Sequence, residues 1–383
     1  MYYFDHSATT PLLPEVTKLM NTLNENIYGN PSSIYSAGRK SRSIIEEARN
    51  QIAQSISSKP EQIIFTSGGT EANNQVLWSI TNESKKHIIA NRIEHPAVTR
   101  VLEYLRHFGI NYELVEVKKD GIVCVDKIIS AIKPNTSLIS LMLANNELGT
   151  IQPLKEVVEY ASKNNIMVHT DAVQCLGKMN LDVTSLGIDF LSLSAHKFYG
   201  PKGIGALYVK NPKKIYSLII GGSQEKDLRA GTENISAIAG MGLAAELSTT
   251  SLSQKIKSLQ SLEKQFKDGL KNFFNKAVFN GNQLKKLPGI INVSFPNFQS
   301  VKMMIRLDRK NIAVSNGSAC GSGNIKPSKV LSAIGLDESI NLSTLRISFG
   351  NSNNKEQVKY LLNSLKSIKH SLGIKDFIFL API

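Results

Sequence analysis

Short apolar runs alternate with helix-like stretches from residue 61 to residue 210, and this alternation limits the fold more than any other feature of the chain. Several of the runs are apolar at every position, as strands covered by helices on both faces must be. The pattern predicts a mostly parallel α/β sheet. The runs lie at residues 62–65, 87–90, 112–115, 138–143, 166–169, 190–193 and 205–209.

The pattern changes after residue 251. A long helix-like stretch at 252–274 leads into strand-like segments at 289–295, 312–314 and 345–349. A final helix is predicted to carry one apolar face, formed by Val358, Leu361, Leu362, Leu365, Ile368 and Leu372. We therefore predict a large domain over residues 16–251. A smaller α+β domain would combine residues 252–383 with residues 1–15.

Composition excludes several classes of protein. No apolar run approaches the roughly 20 residues of a membrane-spanning helix, and the first residues lack the pattern of a signal peptide, so we expect a cytoplasmic protein without a membrane partner. The three cysteines are too few and too scattered for a disulfide framework or a closed zinc site, so no metal is predicted. The net charge of +14 comes largely from scattered lysine pairs. That distribution favours a generally basic surface over a direct nucleic-acid site.

Lys197 has surroundings that a surface lysine would not need. It follows the apolar run 190–193 and lies in the sequence Ser-Ala-His-Lys-Phe-Tyr-Gly-Pro-Lys-Gly-Ile-Gly, residues 194–205. A lysine at the end of a buried strand loses its proton more easily, because burial and neighbouring cations disfavour the charged form. Such an amine can form a Schiff base with a carbonyl group. Lys197 is therefore a candidate for carbonyl chemistry.

Other strand ends carry polar groups of a matching kind. Gly68-Gly69-Thr70 separates a predicted strand from a helix, which suits phosphate binding but is equally a common turn. Asp171 and Gln174 follow another strand. Asp171 could cap a helix or could hold a pyridinium nitrogen protonated, in which case Gln174 would reach the phenolic oxygen of the same ring.

His95 follows a third predicted strand, and Asn145-Asn146 follow a fourth. The histidine could be structural or could stack on a cofactor and move protons, and the asparagines could form a turn or orient a ligand. Taken together with Lys197, Asp171 and the glycine turn, these residues make up the protein side of a pyridoxal 5'-phosphate site. Four strand ends that each carry a group suited to the same cofactor are much less expected by chance than a single one.

The ordered motifs resemble those of the cysteine desulfurases, which share the aminotransferase class V fold. The resemblance runs nearly end to end, through residues 5–11, 28–33, 65–74, 94–95, 145–149, 171–174, 194–205, 229–232, 317–320 and 345–348. It implies fold type I of the pyridoxal phosphate enzymes and a homodimer. It also implies that L-cysteine becomes L-alanine through an external aldimine, with the sulfur passed to an acceptor protein.

The resemblance also assigns roles by position. Lys197 would carry the cofactor, Asp171 would face its ring nitrogen, Gln174 its phenolic oxygen, and His95 its ring face, with a part in proton transfer. Arg346 would bind the substrate carboxylate, with Asn146 contacting both substrate and cofactor and Asn30 nearby. The phosphate would be held by Gly69, Thr70, Ser194 and His196, and by Thr232 from the other subunit.

Cys320 separates desulfuration from transamination, because a thiolate there could attack the substrate sulfur and become a persulfide. Small residues surround it, which predicts an exposed segment. We expect Cys124 to be a small core residue and Cys175 to pack beneath the cofactor. Gly321 follows Cys320 where many family members have serine or threonine, so the acceptor stays open among iron-sulfur assembly, tRNA thiolation and DNA phosphorothioation. A selenocysteine lyase or an aminotransferase of the same fold is the alternative.

Overall fold

The computed structural model describes residues 1–316 and 326–378, the last seven by their backbone alone. Within these residues the strands are β1 (Tyr2–Tyr3), β2 (Ile63–Thr66), β3 (His87–Asn91), β4 (Asn111–Val115), β5 (Thr136–Ser140), β6 (Met167–Asp171), β7 (Phe190–Ser194), β8 (Gly205–Val209), β9 (Val278–Phe279), β10 (Ile290–Ser294), β11 (Ile312–Ala313) and β12 (Thr344–Ser348).

The helices of the same residues lie between and after these strands. They are α1 (Pro14–Asn26), α2 (Ser36–Ser55), α3 (Gly69–Ser79), α4 (Pro96–Leu105), α5 (Val125–Ser130), α6 (Leu154–Lys163), α7 (Val183–Leu186), α8 (Ile235–Thr250), α9 (Leu252–Lys271), α10 (Ser300–Asp308), α11 (Lys329–Ala333), α12 (Glu338–Asn341) and α13 (Lys355–Ile378). None of them is long and apolar enough to cross a bilayer.

A seven-stranded sheet confirms the predicted α/β architecture. Its order is β2-β8-β7-β6-β5-β3-β4. Strand β8 runs antiparallel to both of its neighbours, and the remaining pairs are parallel. The seven predicted strands are all present, six of them with shifted ends and β8 with the predicted bounds. The predicted run 138–143 leaves regular pairing after Ser140, although Leu141 and Leu143 still donate to the carbonyls of His169 and Asp171.

Helices cover both faces of this sheet, as the fully apolar strands require. Ile52 of α2 and Met241 of α8 pack on one face, and Val76 of α3 and Leu102 of α4 pack on the other. Each such side chain contributes about 1.5–3 kcal/mol by leaving water. The two apolar layers fix the strands, so that their carboxyl ends present the polar residues at one edge.

A second, smaller core lies around the antiparallel sheet β12-β10-β9. Helices α9 and α13 pack there, and the predicted apolar face of α13 is buried at Val358, Leu361, Leu362, Leu365 and Ile368. The amino terminus joins this part of the molecule, because β1 pairs with β11. Strand β9 is too short for its two residues to give a sequence signal. The domain boundaries at residues 15 and 251 stay a prediction.

Candidate active site

Lys197 ends a short 3-10 turn, Ala195–Lys197, directly after β7. Its Nζ donates to the carbonyl oxygens of Ser7 and Ala8, each at 2.7 Å. The amino-terminal segment is held against this turn by the Thr10 hydroxyl, which donates to the carbonyl of His196 at 3.0 Å. The lysine is therefore positioned by neutral acceptors that lie 190 and 189 residues earlier in the sequence.

Burial is the main cause that lowers the pKa of Lys197 to about 7. The positive charges of Lys178 and Arg346 lower this pKa further, whereas Asp5 and Asp171 raise it. A large share of the amines is consequently neutral near pH 7. An amine must be neutral to attack a carbonyl carbon or to accept a proton.

Asp171 is the last residue of β6 and is almost fully buried. Its Oδ2 accepts from Asn73 Nδ2 at 2.7 Å, and its Oδ1 accepts from the Val173 amide at 3.0 Å. The residues that follow form turns, so Asp171 does not cap a helix. A carboxylate fixed by donors on both oxygens at the end of a central strand can partner a cationic ring nitrogen.

Gln174 and Lys197 donate to the same carbonyl oxygen, that of Ser7. Gln174 Nε2 donates to the Ser7 carbonyl at 2.9 Å, the same oxygen that accepts from Lys197. The Oε1 of Gln174 accepts from Lys178 Nζ at 3.0 Å. Both the amide and Lys178 are buried.

A cavity of about 330 Å³ opens at the amino terminus of α3. Its lining includes four predicted phosphate ligands, Gly69, Thr70, Ser194 and His196, together with Thr9, Ser67, Gly68, Glu71, Lys202 and Gly203. The first amide groups of a helix are free donors and carry a partial positive charge. Glycine is required around the cavity, since a Cβ on Gly205 would lie 2.6 Å from the Cα of Gly68.

His196 forms one wall of that cavity, and its Nδ1 lies 3.1 Å from the Thr9 hydroxyl oxygen. Burial, followed by the charges of Lys197, Lys202 and Lys178, lowers the pKa of His196 to about 4. The ring is therefore neutral at pH 7. Thr232, the predicted fifth ligand, is exposed and does not line the cavity within this chain.

His95 directly precedes α4 and caps it, because its Nδ1 accepts from the Ala97 amide at 3.1 Å. Burial lowers the pKa of His95; the charge of Asp171 raises this pKa and that of Lys197 lowers it. The ring is neutral, and its proton lies on Nε2 since Nδ1 is an acceptor. The charges of Asp171 and Lys197 both act on the ring.

Arg346, from β12, brings the smaller sheet to the same site. Its Nη2 donates to Asp5 Oδ1 at 2.7 Å, and its Nη1 donates to the carbonyl oxygen of Asn146 at 3.1 Å. Its Nε is buried and has no partner among the described residues. Asn30 is not brought to this group: it is exposed, and its Oδ1 accepts from the Ser32 amide at 2.9 Å.

Cys320 lies outside the described residues, but both flanks of its segment are attached near Arg346. Ser315 exchanges backbone hydrogen bonds with Arg346 at 2.6 and 3.1 Å. On the other side, the Ser328 hydroxyl donates to Glu147 Oε2 at 2.6 Å. Glu147 is the next residue after Asn146, whose carbonyl Arg346 contacts.

The other two cysteines differ from each other. Cys175 is fully buried, and burial raises the pKa of its thiol, which agrees with packing in the core. Cys124 is only half-buried, so the prediction that it is a core residue is wrong in part. It directly precedes the short helix α5.

Sequence reasoning missed several residues that build the site. Asn73 orients Asp171, Lys178 contacts Gln174, and Asp5 binds Arg346. The carbonyls of Ser7 and Ala8 were also missed, although residues 5–11 formed one of the motifs. A backbone carbonyl leaves no signal in residue type, and pairs so far apart in sequence meet only once the sheets are folded.

The donor set fits pyridoxal 5'-phosphate. The α3 cavity offers amide, hydroxyl and imidazole donors for a phosphate, and the fixed Asp171 carboxylate suits a pyridinium nitrogen. The Lys197 amine supplies the nucleophile that the aldehyde of this cofactor requires. These groups lie along one edge of the seven-stranded sheet, where parallel α/β sheets bind their ligands.

Comparison with known proteins agrees with this donor set. The family model described as aminotransferase class-V matches residues 2–361. A curated relative from Dictyoglomus turgidum, cysteine desulfurase IscS, is 42% identical over 373 residues, which cover 97% of this chain and 95% of the relative. Among solved structures, a NifS-like protein matches with a TM-score of 0.90 and 35% identity, covering 96% of this chain and 98% of its own.

A second solved structure, described as SspA in complex with cysteine, has a TM-score of 0.80 and 34% identity, covering 91% of this chain and 99% of its own. These matches confirm fold type I and pyridoxal 5'-phosphate as the cofactor. Near-complete coverage on both sides means that no large part of the chain falls outside the similarity. The chain belongs to the aminotransferase class-V family, among its cysteine desulfurases.

Proposed function

We propose that this enzyme converts L-cysteine to L-alanine and transfers the sulfur to Cys320. The observation that carries the proposal is the Lys197 amine, held by the carbonyls of Ser7 and Ala8 and with its pKa lowered to about 7. It is supported by the names of the relatives, which are cysteine desulfurases, and by a similar chain solved in complex with cysteine.

We propose that the cofactor is held along the sheet edge by Lys197, Asp171, Gln174 and His95, and that Gly69, Thr70, Ser194 and His196 hold its phosphate in the α3 cavity. Bound pyridoxal phosphate supplies an electron sink for the bonds at the substrate α-carbon. The neutral His95 ring can stack on the cofactor and offer its Nε2 proton. The buried Asp171 carboxylate would keep the pyridine nitrogen of the cofactor protonated.

Arg346 is the proposed partner of the substrate carboxylate, with Asn146 beside it. The unpartnered Nε of Arg346 is a free donor in a buried setting, where an anion would satisfy it. With the carboxylate fixed there, the α-carbon would face the seven-stranded sheet. Lys197 Nζ would then take the α-proton and later return a proton to carbon.

Cys320 is the proposed sulfur acceptor within the chain. Its thiolate would attack the substrate sulfur, forming a sulfur–sulfur bond while the bond from that sulfur to the β-carbon breaks. The β-carbon is reduced and takes a proton, and the two sulfurs become a persulfide. One cysteine and one protein thiol thus give one alanine and one persulfide, so no further oxidant is needed. The attachment of residues 315 and 328 beside Arg346 supports this assignment.

The test uses the purified protein with bound cofactor, L-cysteine and a thiol reductant. We expect cofactor absorbance, and alanine and sulfide in equal amounts. Lys197→Ala should abolish turnover and the lysine-dependent absorbance. Cys320→Ala should keep the absorbance and lose sulfide release, whereas the matched variant Cys124→Ala should keep both. Amino transfer to a keto acid that survives in Cys320→Ala would overturn the desulfurase assignment in favour of an aminotransferase.

We further propose a homodimer in which Thr232 completes the phosphate site of the partner. Large apolar side chains are exposed in two segments of the single chain: Tyr28 (91%) and Ile34 (89%) in one, and Ile220 (89%) in the other. The second segment is tied to residues next to Thr232, because the Ala230 amide donates to the Ile219 carbonyl. Thr232→Ala should then loosen cofactor binding in a dimer of unchanged mass, and a monomer in solution would contradict the proposal.

The acceptor protein that receives sulfur from Cys320 is proposed to be reached in the cytoplasm through the generally basic surface, consistent with the net charge of +14. Iron-sulfur assembly, tRNA thiolation and DNA phosphorothioation proteins are the candidates. Transfer of labelled sulfur from the persulfide to each purified candidate would choose among them. The preferred acceptor should take the label faster at low salt.

A further inference from the structure

Lys178 is a buried lysine for which the predicted chemistry has no use. It lies in the turns that follow β6 and is 8% exposed. Its Nζ donates to Gln174 Oε1 at 3.0 Å, and within the described residues no carboxylate pairs with it. Keeping a cation in such a place is costly, so its position calls for a functional reason.

A chain of hydrogen bonds connects Lys178 to Lys197. Lys178 donates to Gln174, Gln174 donates to the Ser7 carbonyl at 2.9 Å, and Lys197 donates to the same carbonyl at 2.7 Å. An ammonium group has donors only, so the oxygen of the Gln174 amide must face Lys178. The amide NH₂ is thereby directed to the other side, toward Ser7.

The charge of Lys178 also reaches Lys197. Burial lowers the pKa of Lys178 to about 8, and Arg346 lowers this pKa too while Cys175 raises it. Lys178 is hence mostly cationic near pH 7. Asp5, Asp171 and Arg346 act on Lys197, and Cys175 and Arg346 act on Lys178. The charges of the two lysines act in turn on three histidines: His6, His95 and His196.

We propose that Lys178 is a positioning residue with two effects. It fixes the Gln174 amide with its NH₂ group toward the Ser7 carbonyl, and its positive charge favours the neutral form of the Lys197 amine. The inference rests on the proposed function, in which Lys197 acts as the amine. Among the described residues, Lys178 and Arg346 are the cations that favour this neutral form, and Asp5 and Asp171 oppose them. Removing one cation should therefore shift the balance toward protonation.

The test is a pH titration of the visible absorbance of the purified holoenzyme, which reports protonation of the Lys197 nitrogen while it carries the cofactor. A neighbouring cation disfavours that protonation as it does in the free amine. Lys178→Met removes the charge with little change in length, and should raise the midpoint of the Lys197-dependent transition by about one pH unit. Lys178→Arg keeps a cation and should stay within about 0.3 unit of the natural protein. Lys213→Met, an exposed lysine outside the site, is the matched control and should not move the midpoint.

The Met and Arg variants of Lys178 together separate charge from packing. An unchanged midpoint in Lys178→Met, or equal shifts in the Met and Arg variants, would overturn the inference. If Lys178→Met does not fold, Lys178→Gln carries the same expectation. Absence of any Lys197-dependent absorbance in the natural protein would instead refute the proposed function.

Discussion

Two basic side chains of the site, Lys197 and Arg346, are held by the amino-terminal segment in different ways. Lys197, on the seven-stranded sheet, donates to the neutral carbonyls of Ser7 and Ala8. Arg346, on the three-stranded sheet, donates to the Asp5 carboxylate. Residues 5–8 thus contact both side chains, but only the arginine has a direct anionic partner.

The difference suits the two proposed tasks. A carbonyl accepts a hydrogen bond without adding a full negative charge, so burial can lower the pKa of Lys197 to about 7. An arginine stays cationic in any setting, and a carboxylate compensates its buried charge. The amine side of the site is thereby kept able to lose a proton, while the carboxylate-binding side is kept charged.

The largest expected effect tests the lysine side through stability. The pKa of Lys197 falls from an ordinary 10.5 to about 7 on folding, so between these values the unfolded chain binds more protons than the folded one. The contribution of Lys197 to stability therefore rises as the pH increases from 7 to 10.5 and is most unfavourable at and below pH 7. Lys197→Met should stabilise the cofactor-free chain by about 2 kcal/mol at pH 7, after the cost of two lost hydrogen bonds.

The measurement is the urea midpoint of the cofactor-free natural protein and the variant at pH 6, 7 and 10. The gain should shrink at pH 10, because the unfolded lysine is there partly neutral and folding releases fewer protons. Lys213→Met controls for loss of a surface charge. A gain that is the same at all three pH values would mean that Lys197 is not deprotonated by its surroundings.

Sequence predicted the part of this site that depends on residue type at strand ends. Lys197, Asp171 and the glycine turn each follow a strand whose apolar run is visible in the sequence, and the fold brings those ends to one edge. The parallel sheet follows from the same runs. These features depend on local pattern and on a general rule of α/β topology.

The site residues that the sequence did not predict depend on contacts between distant parts of the chain. Asp5 meets Arg346 across 341 positions of sequence, and Asn73 meets Asp171 across 98. Nothing in the residues around Asp5 distinguishes a carboxylate that binds arginine from one at the surface. The strand ends at Ser140 and Asp171 were misplaced for a similar reason, because the pairing of neighbouring strands decides where each ladder stops.

The next effect tests the arginine side. Arg346→Ala removes the proposed contact with the substrate carboxylate, and charge-assisted hydrogen bonds are worth about 1.5–3 kcal/mol, so the KM for cysteine should rise about 10- to 100-fold. Cofactor absorbance should persist, because Arg346 belongs to the other half of the site. The exposed Arg309→Ala is the matched control. An unchanged KM would remove Arg346 from substrate binding.

The smallest expected effect concerns both Lys197 and Arg346, because Asp5 acts on each of them. Its charge raises the pKa of Lys197, so Asp5→Asn should lower the midpoint of the Lys197-dependent absorbance by about half a unit. The same change frees the Nη2 donor of Arg346 for the substrate carboxylate, so the KM for cysteine should fall about twofold rather than rise. Absorbance titration and steady-state kinetics of one preparation give both values. A raised midpoint would show that Asp5 acts on Lys197 through packing and not through charge, and the two halves of the site would then have to be treated as independent.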